Sequence, residues 1–412
     1  MKNKISQRKL LLDLKELLNN FNIDFCLMSG TLLGAYRDKS FISWDNKDTD
    51  LAIDVKHYWK IKRILKESNW KYKAMWRREI SIYKGDYIHP HIDLFFYETK
   101  GDKIYLYSNK VDKGFTNKWN VEQKHVFDKN NILPLVNYKF LNSIFKIPNK
   151  TASVLEQLYG ETWKHPNSKW DGGNTPNIDK SHRQIAVIIP SFIRWGKTQK
   201  EVETLLDSYN PDKYRIYIGN QGQEDLTKIK FFNDLVEQGH YVTKLPYNCG
   251  LSYARNYLIK KTKEPYIMVI DNDFLFYKTS NLDAFAQILE DDENIGIVAG
   301  KLEKRDNYTH NLIYSSNEKK IIYLKTNPKN IQIQESCHRP NQSYFYTDLV
   351  LNFFLAKREV FNDIQWDDGL KLVEHTDFFM RLKRTKWKPT HAMDVIAGHQ
   401  DIKTNTKEYT KF

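Results

Sequence analysis

Leucines recur at helical spacing near the start of the chain, in Lys9–Leu18, and predict an amphipathic leading helix. The pattern then changes to short apolar runs. Phe25–Met28 and Ile92–Phe96 read as strands, the apolar Leu51–Ile53 follows an acidic stretch, and Ala152–Leu158 reads as a late helix. Polar text rich in glycine and proline runs from His165 to Arg183, and the apolar pattern restarts beyond it. Strands at Ala186–Ile189, Arg215–Ile218 and Tyr266–Ile270 then alternate with helical stretches at Lys200–Tyr209 and Ser252–Lys261, the signature of βαβ units. The expected architecture is α/β with two domains, residues 1–170 and 185–412, joined by a linker at 171–184. No internal repeat is seen.

A length of 412 residues agrees with two cores. No run reaches the roughly 20 apolar residues that span a bilayer, and the N-terminus lacks the apolar core of a signal peptide. Cys26, Cys249 and Cys337 lie far apart, so neither a disulfide framework nor a zinc site is indicated. These features point to a cytoplasmic protein. The net charge of +13 is spread along the chain. It reads either as a solvated basic surface or as one that attracts anionic substrates or an anionic membrane face. Without a basic helix, zinc-finger spacing or RNA-binding aromatic motif, nucleic acid is not the expected partner.

Chemistry concentrates first in Ser29–Ile53, SGTLLGAYRDKSFISWDNKDTDLAI. Ser29-Gly30 follows a strand and opens a helix, an arrangement that aims backbone N–H groups at phosphate. Asp45, Asp48 and Asp50 fall within six positions and repel one another unless a cation sits between them. Asp48 and Asp50, two apart, share a face of an extended strand, and Asp93 is a further acid in an apolar strand. Such carboxylates suit a two-metal phosphoryl-transfer site; taken alone they also read as a solvated turn.

Gly30–Ala35, Arg37, Phe41-Ile42, Trp44-Asp45 and Asp48-Thr49-Asp50 resemble the signature of the LicD and fukutin-related phosphotransferases. Ile92–Phe95, Ile132–Leu135, Ile147–Asn149 and Leu158–Trp163 with Pro166 extend the similarity over residues 8–166. The resemblance implies an α+β nucleotidyltransferase-like domain that moves an alcohol phosphate from a CDP-linked donor to a sugar hydroxyl. By it, Asp48 and Asp50 hold Mg²⁺ or Mn²⁺, Asp93 completes the metal site and accepts the proton, and Ser29, Gly30 and Arg37 bind the donor. The chain carries Asn46-Lys47 where the family has one Asp, which sets Asp45 aside.

In the second half, Asp271 and Asp273 end a buried strand, where open α/β sheets bind ligands. Taken alone they read rather as a strand-capping turn. IIPSFIR, YRIYIGNQGQ, Asn248–Asn256, Leu372–Lys383 and VIAGHQ together resemble GT-A glycosyltransferases of family 2 and of the β-1,4-galactosyl- and N-acetylgalactosaminyltransferases. That resemblance implies a Rossmann-like domain taking a nucleotide sugar, expected to be a UDP-sugar. Asp273 and His399 would hold Mn²⁺ or Mg²⁺, Asp271 would orient the donor ribose or the metal's waters, and Asn220 stands where relatives read the base. Arg255 is either a donor-phosphate contact or a structural salt bridge. Glu374 or Asp377 would be the general base, Asp377 being favoured. The expected whole is a bifunctional enzyme of teichoic acid, capsule or lipopolysaccharide synthesis acting on a lipid-linked or oligosaccharide acceptor. The alternative is one catalytic domain beside a glycan-binding or scaffold module.

Overall fold

The computed structural model describes residues 6–45, 48–75, 79–85, 90–111, 120–168, 178–179, 184–209, 211–303, 309–315, 319–325, 332–336 and 343–400. Asn46-Lys47 and most of the expected linker lie outside them. The chain forms two compact units, residues 1–112 with 120–182, and residues 183–412 with 113–119.

The first unit runs α1 (Gln7–Asn20), β1 (Phe25–Leu27), α2 (Ser29–Leu33), β2 (Asp50–Asp54), α3 (Tyr58–Lys66), β3 (Lys71–Met75), β4 (Glu79–Tyr83), β5 (Ile92–Lys100), β6 (Lys103–Val111) and β7 (Asn120–Asp128). It continues through α4 (Lys129–Ile132), β8 (Val136–Phe140), β9 (Ser143–Ile147), α5 (Thr151–Tyr159) and β10 (Ile178–Asp179). The leading helix forms as expected: the Ser6 hydroxyl caps it by accepting the Lys9 N–H, and Leu10, Leu11, Leu14 and Leu18 are buried. One mixed sheet has the order β1-β2-β5-β6-β7-β10, with the β3–β4 hairpin joined to β5 through β4. The helix expected after Ser29 is a single turn, continued by a π-helical turn over Gly34–Asp38.

The second unit runs β11 (Ile185–Ser191), α6 (Trp195–Ser208), β12 (Tyr214–Asn220), α7 (Lys230–Glu237), β13 (Tyr241–Lys244), α8 (Leu251–Lys261), β14 (Tyr266–Ile270), β15 (Phe274–Leu275) and α9 (Asp283–Leu289). Then come β16 (Ile295–Leu302), β17 (His310–Ser315), β18 (Lys320–Lys325), β19 (Gln334–Glu335), β20 (Ser343–Tyr346), β21 (Phe353–Lys357), α10 (Arg358–Asp363), α11 (Glu374–Leu382) and β22 (Lys388–His399). Its sheet has the order β13-β12-β11-β14-β21-β16-β22-β20-β19. The first four of these strands are parallel, as the βαβ reading requires, and β11 and β14 are buried along their whole length. Beyond β14 the sheet turns mixed, because β21 runs antiparallel to both β14 and β16. Among the described residues no helix is long and apolar enough to cross a membrane.

On β16 there is no room for a side chain at Gly300. A Cβ there would come within 2.6 Å of Phe353 Cε1 and 2.7 Å of the Val395 carbonyl oxygen. Gly300→Ala is therefore expected to destabilise the second unit by about 1–3 kcal/mol through overpacking. Chemical denaturation followed by tryptophan fluorescence measures it.

Candidate active sites

In the first unit, parallel pairing of β2 with β5 sets Asp50 opposite Asp93. Two backbone bonds fix the approach: Thr49 N–H donates to the His91 carbonyl at 3.1 Å, and Asp93 N–H donates to the Thr49 carbonyl at 2.8 Å. Asp48, the residue before Thr49, is thereby carried to the same place. Asp48, His91 and Asp93 each present a ligand atom within 4.8 Å of the others, the one such group among the described residues. Asp93 divides its oxygens: Oδ1 accepts the Ser81 hydroxyl at 2.5 Å, while Oδ2 faces His91 Nε2 at 3.3 Å.

Asp50 stands beside this trio, where the sequence put it inside. Its Oδ2 accepts the Thr31 N–H at 3.3 Å, and its own N–H donates to Thr31 Oγ1 at 2.8 Å. Burial first, then the charges of Asp48, Asp93 and Asp45, push its carboxyl well above the usual carboxylate range. Asp45, set aside by the sequence, belongs to the same cluster. A Cβ on Gly30 would meet Asp50 Oδ2 at 3.1 Å and Asp45 Oδ2 at 3.2 Å, so glycine is what lets this backbone lie against the carboxylates. For His91, burial opposes the charged form, but the bond to Asp93 and the charges of Asp93, Asp48 and Glu79 outweigh it and raise its pKa.

Arg37 differs from the donor contact expected of it. Its guanidinium is engaged by Asp38 at 2.7 and 2.8 Å and by the Trp163 carbonyl at 3.3 Å, tying the π-helical turn to the Leu158–Trp163 segment. Ser29 takes the left-handed backbone, φ 46°.

In the second unit Asp271 and Asp273 follow β14 and diverge. Asp273 Oδ2 lies 3.5 Å from His399 Nε2 and 3.4 Å from Arg194 Nη1. Pairing of β15 with β22 sets Phe274 opposite His399 and so delivers that histidine. Asp271 is held instead by Arg255, Nη2 to Oδ1 at 3.1 Å, and by the Asn352 amide. Burial raises the Asp271 carboxyl, with Arg255 opposing and Asp273 adding to the rise.

Arg255 is wholly buried, and its other nitrogen, Nη1, reaches Glu374 Oε1 at 3.2 Å. This is the structural salt bridge of the two readings, and a buried guanidinium joined to two acids has no surface left for a donor phosphate. Asp377, one turn further along α11, accepts two bonds from Arg381 at 2.8 and 2.5 Å. Asn220 is also engaged locally: its Oδ1 accepts the Gly222 N–H and its Nδ2 donates to the Glu224 carbonyl, which closes a turn.

His91, Ser81 and Arg194 were not picked out from the sequence. For His91 the signal was present, two positions before Asp93 in HPHIDLFF. Ser81 reaches the site only through the β4–β5 register, which pairs it with Asp93.

Two family models match this chain. Residues 22–150 match the LicD/FKTN/FKRP nucleotidyltransferase domain, and residues 186–351 match glycosyl transferase family 2. The chain joins a LicD-type domain to a family 2 glycosyl transferase domain. Ribitol-5-phosphate transferase FKTN of Homo sapiens is 29% identical over 178 residues, 42% of this chain and 36% of that protein. Beta-1,4 N-acetylgalactosaminyltransferase 2 of Mus musculus is 25% identical over 211 residues, 49% of this chain and 36% of that protein. The matched segments thus span about a third of the length of these curated relatives. Among solved structures, the mannosyltransferase PcManGT from Pyrobaculum calidifontis, in complex with GDP-Man and Mn²⁺, aligns with a TM-score of 0.39 and 12% identity over 56% of this chain and 60% of that one. The LicD-type match contains Asp48, Asp50, His91 and Asp93. The family 2 match contains Asn220, Arg255, Asp271 and Asp273 and ends before Glu374, Asp377 and His399.

The acid cluster of the LicD-type domain is held against its own repulsion. Asp50→Asn keeps an acceptor for the Thr31 N–H and removes one charge, so it is expected to stabilise the metal-free protein. The native pKa of Asp50 lies above the unfolded value near 4. Its charge is therefore costly above the native pKa, and the cost vanishes as pH falls toward about 4. The gap between D50N and wild type should be widest at neutral pH, close on acidification, and narrow when Mg²⁺ or Mn²⁺ is added, all readable by thermal denaturation.

Proposed function

We propose that the chain is a bifunctional transferase of cell-surface glycan synthesis. Its LicD-type domain transfers an alcohol phosphate, such as phosphocholine, ribitol phosphate or glycerol phosphate, from a CDP-linked donor to a sugar hydroxyl. Its glycosyl transferase domain transfers a sugar of the galactose or N-acetylgalactosamine type from a UDP-sugar to a glycan acceptor, with inversion. The observation that carries the reading is the gathering of acids around β2 and β5: Asp48 and Asp93 share one cluster with His91, Asp50 is paired with Asp93 in register, and Asp45 and Asp50 lie against Gly30, whose missing side chain leaves them room.

That donor set, carboxylate oxygens with one imidazole nitrogen, fits a divalent ion, which when bound offsets the charge of the donor diphosphate and of departing CMP. Asp48 and Asp93 hold it, and Asp50 adds the charge that makes the pocket attract a cation. The acceptor oxygen bonds to the phosphorus carrying the alcohol, the bridge to CMP breaks, and Asp93 takes the hydroxyl proton. In the second domain Asp273 and His399 offer one oxygen and one nitrogen to an ion, and Asp271 faces the donor.

Asp377 is the better base of the two acids on α11. Glu374 is countered by a fully buried arginine, and neutralising it would leave that cation with Asp271 as its one remaining acidic partner, at a cost in stability. The Asp377–Arg381 pair is partly exposed and four residues apart on one helix, a kind worth about 0.3–0.5 kcal/mol. Glu374 is then a positioning residue, aligning Asp271 through Arg255. The basic surface suits work at the cytoplasmic face of an anionic membrane, on a lipid-linked acceptor of teichoic acid, capsule or lipopolysaccharide type.

Substituting Asp48 and Asp50 together by Asn is expected to abolish CMP release from CDP-choline, CDP-ribitol or CDP-glycerol and to spare sugar transfer. Substituting Asp271 and Asp273 together should do the reverse. Loss of neither activity, or no binding of either donor class with Mn²⁺ or Mg²⁺ present, would sink the bifunctional reading in favour of a scaffold.

Asp377→Asn should lower sugar transfer about 10²–10⁴-fold with stability changed by under about 1 kcal/mol. Glu374→Gln should destabilise the protein measurably in urea, and a D377N enzyme of near-normal rate would show the base to be elsewhere.

A further inference from the structure

We propose that the LicD-type domain holds its ion through an imidazole nitrogen, His91 Nε2, beside the oxygens of Asp48 and Asp93, so that the site prefers transition ions such as Mn²⁺ over Mg²⁺. The inference rests on the reading of this domain as metal-dependent and adds a residue and a selectivity to it. Neighbouring ligands of an ion at roughly 2.2 Å sit about 3.1 Å apart. His91 Nε2 and Asp93 Oδ2 are already at 3.3 Å, and the Asp48 carboxylate lies within 4.8 Å of both. The surroundings are arranged for ligation and not merely for an ion pair. The Ser81 hydroxyl occupies Asp93 Oδ1, which fixes the carboxylate and turns Oδ2 toward the histidine. The two backbone bonds between Thr49 and the His91–Asp93 segment fix the spacing of all three side chains, since Asp48 precedes Thr49 and both other ligands lie on the bonded segment. His91 and Asp93 are mostly buried, with side chains 14% and 12% exposed, so an ion there exchanges much of its water for protein donors.

Selectivity follows from the donor set. Oxygen-only sites suit Mg²⁺ and Ca²⁺, whereas an imidazole favours transition ions and is a poor exchange for one of the waters Mg²⁺ retains. A site of two carboxylates and one imidazole is thus biased against Mg²⁺ even where Mg²⁺ is more abundant.

The experiment uses the full chain carrying His399→Ala, which removes the candidate nitrogen ligand of the second domain. Mn²⁺ is added below one equivalent, and electron spin-echo spectroscopy reads nitrogen coupling to the ion while titration reads Mn²⁺ and Mg²⁺ affinity. The expected result is a ¹⁴N coupling and Mn²⁺ binding at least about tenfold tighter than Mg²⁺. Adding His91→Gln should erase the coupling and weaken Mn²⁺ by about 10-fold or more, while Mg²⁺ binding changes less. The coupling in the His91-containing protein answers the question even if H91Q fails to fold. Mn²⁺ bound without nitrogen coupling, in a site that D48N or D93N destroys, overturns the role of His91 and leaves the metal reading standing. Mn²⁺ binding indifferent to D48N, D50N and D93N overturns the metal reading itself, and this inference with it.

Discussion

A carboxylate removed from water needs a compensating charge or hydrogen bond, and the two units of this chain meet that need in opposite ways. In the glycosyl transferase domain the compensation is internal: Arg255, fully buried, sits between Asp271 and Glu374 and bonds to both. In the LicD-type domain Asp50 has one weak backbone donor, and three further acids act on it unfavourably. A fold that brings such groups together by strand register, with a glycine leaving them room, gives up stability to hold carboxylates close to one another. The first arrangement fixes geometry, and the second gathers negative charge that the described protein groups do little to offset.

The same contrast separates the acids within each site. Asp271 is held by Arg255 and Asn352, while Asp273, two residues on, faces Arg194 and His399, so one short motif supplies a clamped group and a group open to a histidine. Burial and the Asp273 charge also raise Glu201, whose Oε1 accepts the Phe274 N–H. The helix α6 is thereby bound to the segment bearing Asp273, and the position of that acid depends on the helix behind it as well as on β14.

How far the sequence could be read depended on whether its pattern was periodic or polar. Continuous apolar runs, such as those of β11 and β14, marked strands buried on both faces, and the leading helix announced itself by its leucines. The apolar pattern puts the start of α6 five residues late, at Lys200, because its inward face carries Thr198 and Glu201, both fully buried, in place of an apolar stripe. Those residues bond to Ser191 and to Phe274, a polar seam that periodicity cannot report. In the sites, spacing revealed Asp48 with Asp50 and Asp271 with Asp273, since each pair is local. Ser81, Arg194 and the partners of Arg255 depend on register and packing between distant segments, and no local pattern encodes them.

Backbone strain falls at the same places. Among the described residues, four of the left-handed non-glycine positions are asparagines, which adopt that conformation more readily than other residues. Ile193 and Val373 are β-branched and do not, yet they hold φ 47° and 63° directly before Arg194 and Glu374. Each such residue costs on the order of 1–3 kcal/mol and persists only when its surroundings impose it. Around Val373 the imposing contacts are visible: the Leu370 carbonyl accepts the Ser252 hydroxyl, Lys371 Nζ donates to the Asn248 carbonyl, and the Val373 carbonyl accepts the Asp377 N–H. Val373 itself is exposed, so packing of its side chain does not hold it there. The chain is tied down before the helix begins, α11 must start at once, and its first residue is aimed at Arg255. The strain at Val373 is thus the local cost of setting Glu374 against Arg255, and through it beside Asp271 at the end of β14.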